Sequence, residues 1–184
     1  MKKYGVILIT IMLLSGSLWS SDYAFYFDLS GNYLASPDEK FRSFYSEDSF
    51  FPELTAGVRV LGDLCLWAGY GFFNSEGTTD YLYEEMKAKQ SYLAGGLSYR
   101  RMLTDDFGFK IALGALQAAY REEGMDMEIS GSALGFRADG GILIYIGKVY
   151  LELSNGYLYA RDDVNGQKIK LGGYRIGLAF GVQF

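Results

Sequence analysis

The sequence of 184 residues contains no histidine, one cysteine and two prolines. The absence of histidine excludes mechanisms that use an imidazole as general base, such as the Ser-His-Asp triad. The single Cys65 can form no disulfide within the chain, and it has no histidine to activate it as a nucleophile. Zinc-spaced cysteines, a phosphate-binding G-x-x-x-x-G-K motif and a dinucleotide fingerprint are also missing. The sequence therefore predicts no catalytic residue, no metal site and no cofactor.

Apolar runs long enough to form a membrane helix are missing as well. The apolar run Tyr4–Leu14 follows Lys2 and Lys3 and is too short to span a bilayer comfortably, which is typical of a secretory signal peptide. Small residues after it predict cleavage after Ser17 or Ser20. Residues 1–20 would then be the signal peptide, and residues 21–184 would form one domain. The alternative is an uncleaved N-terminal anchor.

Basic residues are fewer than acidic ones. The chain has 17 Lys and Arg against 22 Asp and Glu, a net charge of −5. Loss of Lys2 and Lys3 with the signal peptide would remove two positive charges and leave −7. An acidic chain has no electrostatic footprint for nucleic acid, so no such partner is predicted.

Glycine and aromatic residues are abundant, with 24 Gly, 16 Tyr and 13 Phe, and this composition favours a sheet over a helical bundle. Bulky apolar residues recur at every second position, which is the period of a strand with one apolar face. In the final segment the apolar positions are Tyr174, Ile176, Leu178, Phe180, Val182 and Phe184. Eight such segments are predicted, at about residues 23–34, 53–60, 64–73, 92–100, 107–115, 134–144, 149–159 and 174–184.

The connections between these segments alternate between long and short. Residues 61–63, 104–106 and 146–148 read as tight turns, whereas residues 36–52, 74–90, 122–131 and 161–170 read as longer loops, the last with a turn at Asn165-Gly166. A bulge is expected near Gln117, where the alternation loses its phase. This rhythm predicts an all-β fold, an eight-stranded antiparallel up-and-down transmembrane barrel. A soluble lipocalin-like barrel is the alternative, but its apolar face would point inwards.

Nine charged residues have the parity of the barrel interior. The lumen of an eight-stranded barrel is just wide enough to be filled by side chains, so these groups must pair with one another or with trapped water. We therefore expect a structural charge network. The alternative is a network that rearranges to pass ions or a small solute. The residues are Asp28, Glu53, Arg59, Arg100, Lys110, Arg137, Asp139, Glu152 and Arg175.

This pattern resembles the small outer-membrane β-barrel family of OmpX and the OmpA transmembrane domain, over the whole of residues 21–184. Its most specific feature is the last strand, which ends on the aromatic Phe184. The resemblance implies that the barrel-assembly machinery reads Phe184 during biogenesis, although Phe184 would also fit an interfacial aromatic girdle. It further implies a place in the bacterial outer membrane, contact with its lipid, and both termini in the periplasm. The family is functionally diverse, so the resemblance fixes no activity.

The first long connection carries the candidate binding surface. It combines acidic residues with aromatic ones, a composition suited to anchoring on an extracellular protein. The alternative places Phe50 and Phe51 in an outer aromatic belt, with Phe41 and Phe44 over the barrel mouth. The predicted function is a non-enzymatic outer-membrane barrel, monomeric or weakly associating, with a structural or surface-interaction role such as adhesion. A narrow, porin-like channel or small-solute transporter is the alternative. The candidate loop residues are Phe41, Phe44, Tyr45, Phe50 and Phe51.

Overall fold

Eight antiparallel strands form a closed barrel in the structure, a computed structural model that describes residues 24–35, 48–78, 85–124, 127–164 and 167–184. Each strand pairs with its neighbours in sequence, and β1 pairs with β8 to close the sheet. The fold class and the even strand number predicted from the sequence are confirmed. The strands are β1 (Phe25–Ala35), β2 (Asp48–Leu61), β3 (Leu64–Thr78), β4 (Glu85–Met102), β5 (Phe107–Gly124), β6 (Met127–Ile146), β7 (Val149–Val164) and β8 (Gln167–Gln183).

The two faces of the sheet differ as the alternation predicted. On β8, Leu178 and Phe180 are about 60% exposed, whereas Arg175 and Ala179 on the opposite face are almost completely buried. Exposed Leu, Ile, Phe and Tyr side chains cover the outside of every strand. An apolar outer wall of this kind inverts the pattern of a soluble barrel, so the lipocalin-like alternative is wrong. Among the described residues, no helix is long and apolar enough to cross a membrane.

The strands are longer, and the connections shorter, than the sequence predicted. The strand pairs β3–β4, β5–β6 and β7–β8 continue through segments that the sequence predicts as loops, up to Thr78 opposite Glu85, Gly124 opposite Met127 and Val164 opposite Gln167. Polar residues fill these extensions, and they join the ladder because it satisfies their backbone hydrogen bonds. The predicted Asn165-Gly166 turn and the signal peptide, residues 1–20, lie outside the described residues.

The bulge expected near Gln117 is absent. Both neighbours of β5 keep a continuous register past this point. The apparent loss of phase has a different cause: Leu116 is an apolar residue that points inwards and is 1% exposed, and Gln117 is a polar residue that points outwards. Within the described strands, a register shift lies instead on β2, between Arg59 and Leu61.

The barrel has two different ends. The short connections at residues 62–63, 103–106 and 147–148 and the C-terminus lie together at one end, which we call the turn end. The opposite end, where the strands extend furthest, is the loop end. In β8 near the loop end, Gly172 and Gly173 have φ angles of +96° and +147°, a backbone conformation that other residues rarely adopt.

Candidate functional site

The centre of the lumen holds a ring of four charged side chains from three strands. The Arg137 guanidinium donates to Glu53 Oε1 at 2.6 Å and to Asp139 Oδ2 at 2.5 Å. On the other side of the ring, Arg175 donates to Glu53 Oε2 at 2.9 Å and to Asp139 Oδ1 at 2.7 Å. Two cations and two carboxylates thus satisfy one another, and the ring carries no net charge. We call these four residues the central ring.

Neighbouring groups complete the hydrogen bonding of the central ring. Thr55 donates to Glu53 Oε1 at 3.1 Å, and Arg175 also donates to the Asn32 side-chain oxygen at 3.0 Å. The Arg137 guanidinium lies 4.8 Å from the centre of the Trp67 ring, in a cation–π arrangement. Glu53 on β2 and Arg137 on β6 face each other from opposite sides of the barrel, so the ring ties the wall together through the lumen.

A second group of charges lies closer to the turn end. Lys110 forms an ion pair with Glu152. Arg100 lies between two aromatic rings, 3.9 Å from the centre of Tyr26 and 4.5 Å from that of Tyr150. The Tyr150 hydroxyl accepts a hydrogen bond from Arg100 at 3.3 Å and donates one to Asp28 at 3.0 Å. Arg100 and Asp28 are therefore joined through a tyrosine and not by a direct ion pair.

Inward-facing glycines make room for these side chains. A Cβ at Gly69 would lie 2.7 Å from Glu53 Oε1, and a Cβ at Gly156 or Gly177 would overlap Asp139 or Asn32. A larger residue at any of these positions would displace a member of the network. These three inward-facing glycines therefore provide space for the lumen side chains.

Apolar side chains fill the lumen on both sides of the charges. Towards the loop end, Leu34, Phe51, Leu158 and Leu171 are at most 3% exposed. Towards the turn end, Leu143 and Tyr145 are similarly buried. A cavity of about 20 Å³, room for about one water, lies between Arg59, Arg100, Gln183 and the surrounding rings. In the part of the chain that the structure describes, buried side chains thus occupy the lumen above, at and below the central ring.

Solved structures with the same architecture are known. Neisserial surface protein A is 14% identical, with 89% of this chain and 98% of that chain covered and a TM-score of 0.56. The chain has the fold of the small outer-membrane barrels. It is also similar to a major outer membrane protein from Thermus thermophilus, at 13% identity, with 88% and 100% of the two chains covered and a TM-score of 0.58.

A third similar structure is Ail, the attachment invasion locus protein of Yersinia pestis, in complex with the heparin analogue sucrose octasulfate. It is 10% identical, with 88% of this chain and 97% of that chain covered and a TM-score of 0.54. At these identities the likeness concerns the fold. Neither the family models nor the curated proteins give a match to the sequence.

Most of the charged residues predicted to face the lumen of this outer-membrane-type barrel are brought together there. Eight of the nine are at most 8% exposed: Asp28, Glu53, Arg100, Lys110, Arg137, Asp139, Glu152 and Arg175. Arg59 is half-buried and lines the cavity near the turn end, away from the central ring. The sequence did not single out Asn32, Thr55 or Tyr150 as hydrogen-bonding partners, although their inward parity was a usable signal.

The candidate binding loop is divided by the structure. Phe50 and Phe51 belong to β2 and not to a loop, because β2 begins at Asp48. Phe50 is 59% exposed and contacts Tyr33 edge-on, at 5.9 Å between ring centres, as a member of an aromatic belt would. Phe51 is 1% exposed and packs on Tyr92 inside the barrel, so neither its loop placement nor its placement in an outer belt holds. Phe41, Phe44 and Tyr45 lie outside the described residues.

Near the loop end, beyond the apolar band of β5, a hydrogen bond links the strand extensions. The Tyr120 hydroxyl donates to Asp162 Oδ2 at 2.9 Å, which joins β5 to β7. Burial of the ring, together with this bond to a carboxylate, raises the pKa of Tyr120 to about 12. The hydrogen bond from this hydroxyl holds the extensions of β5 and β7 together.

Proposed function

We propose that the chain is an integral protein of the bacterial outer membrane, with no catalytic activity and no open channel. The observation that carries this proposal is the combination of an apolar outer wall with a lumen filled by the central ring and its apolar neighbours. Lipid suits this wall because the side chains on it are apolar. The closed barrel can also lie in lipid because it has no edge strand with unpaired backbone N–H and C=O groups. We further propose that the turn end and both termini lie in the periplasm, and that the loop end faces the outside of the cell.

The lack of catalysis is part of the same proposal. The sequence has no histidine, and among the described residues no three Cys, Asp or Glu side chains are grouped so that they could hold a metal ion. The lumen carboxylates form ion pairs or hydrogen bonds to tyrosine, and all four are at most 6% exposed. Their chemistry supports a structural role.

A role in surface interaction is the finer part of the proposal. Residues 36–47 connect β1 to β2 at the loop end, and their sequence contains Phe41, Phe44 and Tyr45 together with acidic residues. Aromatic side chains beside charges suit contact with an extracellular protein. Residues 1–20 would serve as signal peptide, and Phe184 would mark the last strand for the barrel-assembly machinery.

Heat-modifiable migration tests the membrane assignment. The folded protein extracted in detergent should run differently from the boiled sample, because a closed barrel resists unravelling by detergent. Cell fractionation should recover it with the outer membrane. Identical migration of the two samples, or recovery in the soluble periplasmic fraction, would contradict the assignment.

Planar-bilayer recording tests the closed lumen. The refolded protein should give no discrete conductance steps, because the side chains of the central ring and of its apolar neighbours are buried against one another in the lumen. Reproducible single-channel steps would favour the channel over the structural role.

Replacement of the loop tests the role in surface interaction. A Gly/Ser segment of equal length in place of residues 36–47 should abolish binding of cells that bear the protein to extracellular matrix proteins, while heat-modifiable migration stays unchanged. Unchanged binding would contradict the role of this loop.

A further inference from the structure

The small cavity at the turn end of the lumen is lined by none of the four residues of the central ring. Its volume is about 20 Å³, room for about one group of the size of water. Arg59 on β2, Arg100 on β4 and Gln183 on β8 supply polar side chains to its lining. Tyr26 and Tyr145 form buried aromatic walls. We call this space the turn-end cavity.

Two hydrogen-bond donors of the lining have no acceptor in the part of the chain that the structure describes. They are Arg100 Nη2 and Gln183 Nε2. The two residues are only 5% and 6% exposed, so bulk water does not solvate these atoms freely. A buried donor without an acceptor is costly. Because both atoms are donors, the group that satisfies them must accept hydrogen bonds.

The surroundings of Arg100 restrict where this acceptor can lie. The rings of Tyr26 and Tyr150 cover the guanidinium, with their centres 3.9 Å and 4.5 Å from its central carbon. A guanidinium donates only within its own plane, and Nη1 already donates to the Tyr150 hydroxyl at 3.3 Å. Nη2 therefore needs an acceptor at the edge of that plane, and the open space that Arg100 lines is the turn-end cavity.

The lining of the turn-end cavity is positively charged. It contains two arginines and, among the described residues, no carboxylate. The buried carboxylates of this half of the lumen have other partners, since Asp28 accepts a hydrogen bond from Tyr150 and Glu152 pairs with Lys110. A negatively charged acceptor suits this lining better than neutral water, because charge-assisted hydrogen bonds are the stronger ones.

The register shift on β2 shapes the mouth of the cavity. Leu61 has the same parity as Arg59, but the shift between them turns Leu61 outwards, where it is 67% exposed. Arg59 lines the cavity and is half-buried. A flexible cationic side chain thus bounds the mouth in place of a leucine. An ion can therefore exchange with the solution at the turn end.

We propose that the turn-end cavity binds one small monovalent anion of the size of chloride. Arg100 Nη2 and Gln183 Nε2 donate to the ion, and Arg59 attracts it at the mouth. Chloride accepts several hydrogen bonds and donates none, which matches the two donors. It is slightly larger than water, and the half-buried Arg59 can adjust to it. This inference goes beyond the proposed function and does not depend on membrane insertion, because detergent keeps the barrel closed.

Line broadening in chloride NMR tests the proposal. The full chain is refolded in a zwitterionic detergent with sodium gluconate, and sodium chloride replaces the gluconate at constant ionic strength. The folded protein should broaden the chloride resonance saturably, and the urea-unfolded protein should not. Bromide should displace chloride. Sulfate should not displace it, because a space of about 20 Å³ is too small for a polyatomic ion.

Variants assign the binding to the cavity. Gln183→Leu should raise the Kd for chloride about tenfold, the effect of one lost hydrogen bond to a charged group. Arg59→Gln should also raise the Kd, because it removes one of the two cations of the lining. Lys148→Gln is the matched control for Arg59→Gln, since it removes an exposed cation from the turn between β6 and β7 and should leave the Kd unchanged. Heat-modifiable migration shows that each variant is folded.

A second measurement needs no variant. Crystals of the wild type soaked in bromide should give an anomalous peak within hydrogen-bond distance of Arg100 and Gln183. A cavity without such a peak, or a folded protein without saturable broadening, overturns the proposal and leaves water as the acceptor.

Two further outcomes would also overturn the proposal. Equal weakening by Lys148→Gln, or displacement by sulfate as readily as by bromide, would show a general attraction of anions to the protein surface. A barrel that binds chloride in detergent but is recovered from cells in the soluble periplasmic fraction would overturn the proposed function alone.

Discussion

Arg137 shows how a single side chain depends on the completed barrel. Its guanidinium is 5% exposed and bonds to carboxylates on β2 and β6. Taking such charges out of water is costly, and only mutual pairing with good geometry compensates for it. The central ring supplies that pairing with two arginines for two carboxylates. Removal of one member therefore leaves a buried charge without its partner.

Replacing Arg137 with Met should lower the free energy of unfolding by about 3–5 kcal/mol, because Glu53 and Asp139 each lose a bond and one negative charge is left in excess. Urea titration of the detergent-refolded barrel measures the change. No conductance should appear in planar bilayers, since the apolar side chains around the ring still fill the lumen.

The double variant Arg137→Met/Glu53→Gln is the control. It keeps the ring neutral, with Arg175 facing Asp139 at a distance of 2.7 Å in the wild type, and it should recover part of the lost stability. If the double variant is less stable than Arg137→Met by the full cost of a second independent loss, the ring does not act as a unit. A stable Arg137→Met protein with large conductance steps would show that the charges gate a pathway.

The parity of the charges could be predicted from the sequence, but their partners could not be fixed. Period-two alternation places Glu53, Arg137 and Glu152 inside the barrel. It leaves open which carboxylate meets Arg137, because the answer depends on the stagger of eight strands around the barrel. Glu53 and Asp139 are the partners, and Glu152 pairs with Lys110 instead. The buried position of Phe51 on β2 was not predicted either, because the polar residues before it in the sequence are typical of a loop.

At the scale of the strand, β8 depends on a glycine near the loop end. Gly172 has a φ of +96°, and a Cβ there would collide with the backbone oxygen of Leu158 on β7. Gly172→Ala should lower the free energy of unfolding by about 1–3 kcal/mol, the usual cost of a residue held in a disfavoured backbone region. Chemical denaturation of the refolded barrel measures it.

Gly140→Ala is the matched control for Gly172→Ala. Gly140 also lies on the outward parity, and the nearest atom to an added Cβ is the Lys110 oxygen at 4.0 Å. This change should leave stability nearly unchanged. Equal effects of the two substitutions would contradict the special role of the β8 backbone at Gly172.

The end of β8 also closes the barrel. The Phe184 carbonyl oxygen accepts hydrogen bonds from the backbone of Ala24 and Phe25, both at 2.8 Å, and its ring stacks on Phe27 at 5.9 Å. Deletion of Phe184 would remove the backbone bonds together with the ring. Substitution of Phe184 by Ala removes only the ring, so it separates recognition during assembly from closure of the sheet.

Phe184→Ala should lower the amount of protein in the outer membrane and raise periplasmic degradation, while the refolded protein keeps nearly the wild-type stability. Immunoblots of fractionated cells and denaturation of refolded protein provide the two readings. Phe180→Ala, an exposed aromatic on the same face of β8, is the control and should leave membrane levels normal. Equal levels for both variants would limit Phe184 to packing on Phe27.

The existence of all eight strands was predictable because their apolar band keeps strict alternation over many residues. Their ends towards the loop end were not. The pair β5–β6 continues to Gly124 and Met127 through residues such as Arg121, Glu122 and Ser130, which have no apolar face and are held by ladder bonds. The polarity of the side chains indicates whether a strand segment lies in lipid or in water. It does not indicate where the backbone hydrogen bonds between two strands end.

For the whole molecule, membrane insertion predicts that the cost of an outward-facing charged residue depends on its depth in the bilayer. Leu178 and Leu61 are 60% and 67% exposed, so a water-soluble barrel would tolerate arginine equally at both positions. In a membrane, Leu178→Arg near the middle of the wall should lower the free energy of unfolding by about 2–4 kcal/mol, and Leu61→Arg beside the turn should cost about 0–1 kcal/mol. Unfolding in lipid vesicles measures both, and equal costs would contradict membrane insertion.

Leu61 is a better comparison for this purpose than an inward-facing position on β8. The parity of Gly177 predicts that a serine there is milder than Leu178→Arg, because it would face a polar lumen. In the structure a Cβ at Gly177 overlaps the Asn32 side chain that supports Arg175, so Asn32 would have to move to admit the serine. The lumen is polar there, but it has no spare volume.

The sequence distances within the central ring determine when it can form. Glu53 lies 84 residues from Arg137 and 122 residues from Arg175. No single hairpin contains all members of the ring. The charged side chains of Glu53, Arg137, Asp139 and Arg175 must therefore stay hydrated until β2, β6 and β8 come together, because an unpaired charge is costly to bury. Such distant contacts are made late and slowly during folding. Water should therefore leave the interior in the same kinetic step in which β1 pairs with β8, and this should be the last step of barrel folding.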